Sequence, residues 1–159
     1  MEEVLPPWTQ AGAGYEPARV RQLTVFLENR VGRLQQLVRA YEEHRGRIVG
    51  LSIQNSADTA LVRIICSDPD LAREVLETEG FSFSEQAMLV VELPQDTKQP
   101  MMALCAALLA CEINIHYAYP LLLPPGGPAL ALYVDDLIMA TQVLMRKQFR
   151  IIGESDLAK

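Results

Sequence analysis

The architecture follows from one stretch of the chain, QLTVFLENRVGRLQQLVRAYEEHRG (residues 22–46). Its first seven residues are rich in β-formers, and such a short run predicts a strand. Apolar residues then recur at positions i, i+3, i+4 and i+7, with polar residues on the opposite face, which predicts an amphipathic helix. Those apolar positions are Leu34, Leu37, Val38 and Tyr41. Gly46 stands where a glycine commonly ends a helix.

A hairpin and a second helix follow this stretch. Two β-rich runs, residues 48–55 and 59–66, are separated by the short polar segment NSAD, which fits a hairpin connection. The segment SDPD (residues 67–70) then offers a helix cap, an early proline and an acidic first turn. Gly80 ends that helix, and Phe81 begins another β-rich run. The predicted order is therefore β-α-β-β-α-β.

The same order recurs in the second half of the chain. The helical spacing of the first repeat returns 67 positions later, at Met101, Leu104, Cys105 and Leu108. The other elements predicted there are strands at residues 88–93, 113–123 and 129–134, a helix after Asp136 and a closing strand at residues 149–152. This register favours an internal duplication. The alternative is a chance alternation of helices and strands in one larger α/β domain.

These patterns predict an α+β fold made of two ferredoxin-like βαββαβ units. Residues 1–18 carry several prolines and glycines without periodicity and are interpreted as an N-terminal arm. The first repeat covers residues 19–87 and the second covers residues 88–159. A unit of about 66 residues is marginal alone, because its surface is large relative to its core. We therefore expect the units to pack side by side into a continuous eight-stranded antiparallel sheet, with the helices on one face.

Composition and net charge limit the classes of protein to which this chain can belong. The 159-residue chain is 50% hydrophobic with a formal net charge of −6, so it can form a core and is poorly suited to binding a phosphate backbone. Neither a secretory signal nor a run of about 20 apolar residues is present. Three cysteines without a disulfide spacing pattern indicate a reducing compartment. We expect a cytoplasmic protein with no membrane or nucleic-acid partner.

Two short segments resemble a known family. ENRVGRL (residues 28–34) lies between the first strand and the first helix and is similar to the N-x-P-G-x-L signature of the ACT domain, with Val31 in place of the proline. INI (residues 113–115) enters the second strand of repeat two and resembles the family's G-x-N-I stretch. The resemblance implies a free-standing tandem ACT protein, which is a regulatory, non-catalytic chain that binds an amino acid between paired domains. It also implies a regulated partner, such as an enzyme or a transcription factor.

The resemblance places a ligand site between the first turn of repeat one and the second strand of repeat two. A glycine lets a ligand approach the backbone, and a helix N-terminus attracts a carboxylate. Asparagine both donates and accepts hydrogen bonds, as the two charged ends of an amino acid require, and arginine adds positive charge. The predicted ligand-binding residues are Asn29, Arg30, Val31, Gly32, Arg33 and Leu34 of the turn and Asn114, Ile115 and His116 of the strand.

Some of these residues have simpler interpretations. The glycine can serve the geometry of the turn alone, and the arginines can form an ordinary solvated face. Alternation along the second strand of repeat two places Asn114 and His116 on the face opposite Ile115 and Tyr117.

Repeat two departs from repeat one. Its corresponding loop, PQDTKQP (residues 94–100), has no glycine, and Pro100 supplies no N–H to a ligand, so we expect one competent site or two unequal ones. The first helix of repeat two is apolar nearly all round, which predicts that the N-terminal arm or a second chain covers it, as in a homodimer. The competing interpretation of the whole chain is a protein–protein interaction scaffold of the same fold that has lost ligand binding.

Neither catalysis nor metal binding is indicated. The two histidines, His44 and His116, form no nucleophile motif with a serine, cysteine or carboxylate. The Cys-x-x-Cys spacing of a metal site is also missing, and Cys105 and Cys111 are interpreted as packing residues. Phosphate-binding modules of the same topology need a glycine-rich loop, which the turn before the first helix lacks. RNA-recognition modules of this topology need aromatic residues on the exposed middle strands, and the predicted third strand, TALVRIIC (residues 59–66), has none. We expect no enzyme activity, cofactor or metal.

Overall fold

The computed structural model describes residues 19–159. The predicted N-terminal arm, residues 1–18, lies outside the described part of the chain. The described elements are, in chain order, β1 (Val20–Glu28), α1 (Arg33–Glu42), β2 (Ile48–Asn55), β3 (Thr59–Cys66), α2 (Pro69–Thr78), β4 (Ser82–Glu92), α3 (Pro100–Leu109), β5 (Ile115–Pro120), β6 (Ala129–Val134), α4 (Leu137–Arg146), β7 (Ile151–Ile152) and α5 (Glu154–Leu157).

The two repeats share a strand. β4 is one 11-residue strand where the sequence predicts the end of one strand and the start of another, so the sheet of the described residues has seven strands and the prediction of eight is wrong. The physical reason is that β4 contains neither glycine nor proline to interrupt it. Its first part pairs with β1 up to the pair Val20–Met88, and from the pair Leu89–Leu132 onward it pairs with β6.

The sheet curls until its two outer strands meet. Its hydrogen-bonded order is β2-β3-β1-β4-β6-β5, with β7 paired to β4 off this path. A bridge between Gly50 of β2 and Leu121, which follows β5, joins the outer strands. Beside it the Leu122 N–H donates to the Val49 carbonyl at 2.8 Å. The α+β fold and the antiparallel sheet are confirmed, in a curled form that agrees with the natural twist of strands.

Curling gives the sheet an outer and an inner face. On the outer face α1 and α2 cover repeat one, while α3 and α4 cover repeat two, and each pair closes a separate hydrophobic cluster. Alternate residues of the same strands form a third cluster inside the sheet. In β4, for example, Leu89 and Val91 face the helices, whereas Met88 and Val90 face inward. The sheet face that a single repeat would expose is therefore buried against the other repeat.

In both repeats an aspartate caps the start of the second helix. Asp68 caps α2 by accepting the Leu71 N–H at 3.1 Å, and Asp136 caps α4 by accepting the Met139 N–H at 2.9 Å. Each aspartate satisfies an amide that the start of a helix leaves without an internal partner. The two caps are 68 positions apart, which agrees with the duplication indicated by the helical spacing.

The second half of the chain differs from the prediction in detail. β5 is shorter than the predicted strand at residues 113–123, and β7 has only two residues because Gly153 begins α5 directly after it. The sequence patterns did not predict α5, which contributes Leu157 to the inner cluster. Of the helices in residues 19–159, none combines the length and apolarity needed to span a bilayer.

A buried polar cluster joins the repeats inside the sheet. Gln22 of β1 is fully buried. Its amide nitrogen donates to Thr24 Oγ1 at 3.0 Å and to the Tyr117 hydroxyl at 2.9 Å, and its amide oxygen accepts the Tyr119 hydroxyl at 2.7 Å. The guanidinium carbon of Arg63 lies 4.0 Å from the centre of the Tyr117 ring. Because these buried polar groups are paired with one another, the cluster specifies how β5 sits against β1.

Replacing Gln22 by alanine leaves the hydroxyl groups of Tyr117 and Tyr119 without this partner. We expect Gln22→Ala to lower the free energy of unfolding by about 3 kcal/mol, measured by urea denaturation. Gln35→Ala, at an exposed position of α1, is the matched control and should change it by less than about 0.5 kcal/mol. Equal losses in the two variants would contradict the role assigned to the cluster.

An ion-pair cluster fastens the C-terminal segment to repeat one. Glu154, at the start of α5, accepts the Arg21 backbone N–H at 3.1 Å and Arg21 Nε at 2.8 Å. Asp70 accepts a second nitrogen of the same guanidinium at 2.7 Å. The hydrogen bond from Arg21 lowers the pKa of Glu154 below its usual value, so the charged carboxylate is favoured in the folded chain.

The lowered pKa of Glu154 makes this attachment depend on pH. Its contribution to stability is complete above the ordinary glutamate pKa of about 4.3 and is lost as the pH falls through the lower folded-state value. We expect Glu154→Gln to be less stable than the wild type by about 1 kcal/mol at neutral pH, with the gap closing below about pH 4. Thermal denaturation across this range measures the gap. A gap that is independent of pH, or the same gap in a variant of the exposed Glu42, would contradict the assignment.

Candidate functional site

The turn between β1 and α1 is open to solvent. Gly32 has a φ of +87°, in the left-handed region that glycine adopts without strain. Apart from its chain neighbours, no described atom lies within 4 Å of the position where a Cβ would stand. Val31 beside it is fully exposed. A ligand can therefore approach the backbone closely at this turn.

α1 begins at this turn without a side-chain cap. Gly32 is the N-cap residue, and the Arg33 N–H donates back to the Arg30 carbonyl at 3.3 Å. The next two amides, those of Leu34 and Gln35, belong to the group that a helix leaves without an internal partner. These N–H groups and the helix dipole give the turn a positive partial charge, which suits a carboxylate.

Side chains of both charges lie close to the turn. Glu28 and Arg30 form an ion pair at 2.7 Å, and both are exposed. Arg33 Nη1 donates to Gln36 Oε1 at 2.7 Å, and its guanidinium carbon lies 5.1 Å from the centre of the Phe81 ring. The hydrogen bond and the ring hold Arg33 beside the turn.

Arg33 lines two open cavities of about 350 Å³ each. One cavity lies between α1 and the end of α2 and is lined by Arg33, Gln36, Arg39, Ala40, Glu43, Glu79 and Phe81. The other lies at the end of β1 and is lined by Phe26, Leu27, Glu28, Arg33, Thr59, Gly80 and Ser82. The second cavity combines an apolar wall with one acidic and one basic side chain, and its volume is in the range of small-ligand sites.

Two residues of the predicted set help to build the turn. The Asn29 backbone N–H donates to the Asp58 carbonyl at 3.2 Å, which ties the turn to the hairpin between β2 and β3, while its side chain is exposed. Leu34 is half-buried and packs against the core of repeat one. Its side chain belongs to the core, so only its backbone N–H is left for a ligand.

The predicted residues of repeat two lie apart from the turn. The Asn114 N–H donates to the Asp135 carboxylate at 3.2 Å, and Ile115 packs into the core of repeat two. The His116 ring centre lies 5.1 Å from that of Tyr133. The hydrogen bonds, ion pairs and ring contacts of the described residues do not connect these three residues with the β1–α1 turn. Their role in ligand binding stays a prediction.

A bulge alters the predicted alternation of this strand. The register of β5 against β6 shifts around His116, as happens where one strand carries an extra residue. His116 and Tyr117 therefore both contact the Tyr133 ring. The residues that do join this strand to repeat one are Tyr117 and Tyr119, through Gln22, and the sequence interpretation missed them. Two signals for them exist in the sequence, which are tyrosines at alternate positions of one strand and a glutamine within an apolar strand.

Repeat two does not reproduce the open turn. α3 begins at Pro100, which has no N–H to offer. Its N-cap residue, Gln99, has a φ of −130° and is not left-handed. The two loops are therefore structurally unequal, and only the loop of repeat one has the open glycine.

Residues 19–159 contain no candidate metal site. Within that range, no group of three or more His, Cys, Asp or Glu side chains is placed to hold a metal ion. The three cysteines are free thiols. Burial raises the pKa of the Cys66 thiol to about 12, which keeps it protonated and unreactive near neutral pH.

Known proteins share this architecture. The family model described as an ACT domain pair matches residues 18–159. Protein BT0572 from Bacteroides thetaiotaomicron has a similar crystal structure, with a TM-score of 0.81 and 24% identity over 90% of this chain and 98% of that one. The ligand-free regulatory subunit of aspartate kinase from Thermus thermophilus has a TM-score of 0.55 and 12% identity over 86% of this chain and 97% of that one. The regulatory subunit of aspartate kinase from Thermus flavus has a TM-score of 0.52 and 11% identity over 82% of this chain and 93% of that one.

These structural likenesses lie below 25% identity and show a common fold. No curated protein matches the sequence. The family match, by contrast, covers nearly the whole chain and includes both the ENRVGRL turn and the INI segment. It confirms the resemblance that those two segments indicate: the chain belongs to the ACT domain pair family.

Proposed function

We propose that the protein is a non-catalytic regulator that binds an amino acid at the β1–α1 turn of repeat one. The observation that carries the proposal is the left-handed Gly32, with open space above it at the uncapped start of a helix. Such a turn accepts a carboxylate on backbone N–H groups with no side chain in the way.

The surroundings of the turn favour a zwitterion over a simple anion. Arg33 adds positive charge on the side of the helix start, where a carboxylate would sit. The exposed carboxylate of Glu28 lines the cavity at the end of β1, as Arg33 does, and suits an ammonium group. Phe26, which is partly exposed, lines that cavity as well and offers apolar surface to a ligand side chain.

Hydrogen bonds from β1 join repeat one to the second strand of repeat two. Gln22 lies on β1, the strand whose end carries the turn, and it bonds Tyr117 and Tyr119 of β5. The proposed site is lined by residues of repeat one, whereas the sequence predicts a site at the junction of the two repeats.

The regulatory role has support from the family and its structures. Two of the neighbouring structures are regulatory subunits of aspartate kinase. We propose that this chain likewise controls a partner, such as an enzyme or a transcription factor. The three free thiols favour a cytoplasmic location, where thiols stay reduced.

The second candidate function is an interaction scaffold that binds no small molecule. It is favoured by α3, which has an apolar exposed face and begins at Pro100 after a loop without glycine. In this alternative the left-handed Gly32 of repeat one serves only the geometry of the turn.

A thermal-shift screen with the 20 amino acids separates the two functions. We expect one or two amino acids to raise the midpoint of unfolding. A ligand at 100 times its Kd adds about 2.7 kcal/mol, which is roughly 5–10 °C for a chain of this size. The absence of any shift at millimolar concentration would contradict the regulator and favour the scaffold.

Two variants then locate the site by isothermal titration calorimetry. Gly32→Asn fills the open space with a residue that tolerates the left-handed turn, and Arg33→Met removes the charge. Each should weaken the Kd of the amino acid at least about tenfold, with an unchanged circular dichroism spectrum. Arg73→Met, on α2 and outside both cavities, is the matched control and should bind like the wild type. Full affinity in the first two variants would place the site elsewhere.

A further inference from the structure

The inner face of the curled sheet is buried in the middle and open at one end. Side chains at alternate positions of a strand share a face, and those of β1 that point inward become more exposed along the strand. Gln22 is 0% exposed, Thr24 is 9% exposed and Phe26 is 43% exposed. On β3, Ile65 is fully buried, whereas Arg63, opposite Thr24, is half-buried. The inner face therefore opens to solvent beyond the Gln22 cluster.

Repeat two supplies a second wall of this opening. Tyr119 of β5 is buried, but Tyr117 is half-buried, and so is Tyr133 of β6. The ring centres of Tyr117 and Tyr133 lie 5.1 Å apart, and the His116 ring centre lies 5.1 Å from that of Tyr133. We call the space framed by five side chains of both repeats the inner opening, and these are Phe26, Arg63, His116, Tyr117 and Tyr133.

The inner opening contains one arginine. The guanidinium carbon of Arg63 lies 4.0 Å from the centre of the Tyr117 ring, and its Nη1 donates to Gln54 Oε1 at 3.1 Å. Within residues 19–159, no carboxylate forms an ion pair with Arg63. The ring and the amide hold the guanidinium in place without neutralising its charge.

The acids at the ends of the surrounding strands have other partners. Glu28, at the end of β1, pairs with Arg30 at 2.7 Å. Asp135, which follows β6, accepts the Asn114 N–H at 3.2 Å. The inward positions of β2 and β4 toward this end of the sheet are uncharged, and they are Ser52, Gln54, Ser82, Ser84 and Gln86. The inner opening therefore favours a negatively charged ligand group over a positively charged one.

We propose that the inner opening binds a small aromatic carboxylate. Arginine presents a planar fork of N–H donors that matches the two oxygens of a carboxylate. The Phe26, Tyr117 and Tyr133 rings offer faces and edges to a planar ligand ring. The five side chains of the opening include no carboxylate to take an ammonium group, which separates this ligand from an amino acid.

The inner opening is distinct from the proposed site at Gly32. Of its five residues, Phe26 alone also lines the cavity at the end of β1. Arg63 and Tyr117 belong to β3 of repeat one and β5 of repeat two, so a ligand held between them contacts both repeats. This inference does not depend on the proposed function.

Amide chemical shifts of the nitrogen-15-labelled full chain, titrated with four small probes, test the proposal. Benzoate should bind at least about tenfold more tightly than benzamide, which lacks the charge. It should bind at least about threefold more tightly than cyclohexanecarboxylate, which lacks the aromatic ring. Benzylamine, a cation, should bind most weakly. The largest shifts should fall in residues 61–65 and 115–119.

Three results of this titration overturn the proposal. The first is the absence of a saturable shift up to about 10 mM benzoate, as would follow if residues 1–18 filled the opening. The second is equal affinity for the four probes. The third is a set of shifts centred on residues 32–35, which would place benzoate at the turn instead. A benzoate affinity that falls as the protein concentration rises would assign the opening to a second copy of the chain and overturns the proposal as well.

Variants identify the groups that carry the binding. Arg63→Met should remove the preference for benzoate over benzamide, whereas Arg63→Lys, which keeps the charge, should retain part of it. Tyr133→Leu should weaken both aromatic probes at least about threefold. Arg73→Met, on the outer helix α2, is the matched control and should bind like the wild type. A preference that survives in Arg63→Met, or that disappears equally in Arg73→Met, contradicts the proposal.

One further variant separates this proposal from the proposed function. Gly32→Asn should leave the benzoate affinity unchanged while it weakens the binding of the amino acid. Loss of benzoate binding in Gly32→Asn would show that the two ligands share one site, and it overturns the inner opening as a second one.

Discussion

One uninterrupted strand, β4, constrains the rest of the structure. It ends repeat one and begins repeat two, so neither repeat can turn independently of the other. The sheet therefore continues from one repeat into the next and curls until β2 meets β5. The sheet face that each small repeat alone would expose to solvent is buried in a common inner cluster. The helices and the turns that precede them remain on the outside, where ligands and partners can reach them.

The two repeats differ most in the helices and turns on the outer face of the sheet. Repeat one has a left-handed glycine turn and charged helices, whereas repeat two has Gln99 in place of the glycine, followed by Pro100 and an apolar α3. The proposed ligand recognition accordingly lies on repeat one. The buried Gln22 cluster connects the two halves across the inner face.

Local signals were enough to predict most of the fold. Helical spacing, the aspartate caps and the NSAD hairpin act within a few residues, so the sequence predicts them without tertiary information; β2 and β3 have the predicted bounds. The sequence interpretation missed the shared strand because the two runs on either side of Ala87 each look like a complete strand. The candidate site likewise has features that the local sequence predicts and features that depend on tertiary packing. The open turn at Gly32 is local, whereas the placement of Arg33 on Phe81 and the pairing of Gln22 with Tyr117 depend on how distant strands pack.

Amide chemical shifts of the nitrogen-15-labelled protein give the most direct test of a ligand site on repeat one. The amino acid that stabilises the protein would be titrated in while the backbone resonances are followed. The N–H signals of residues 32–35 should move most, because they carry the carboxylate, and those at the start of α3 should stay in place. Shifts confined to α3, or none near Gly32, would contradict the site.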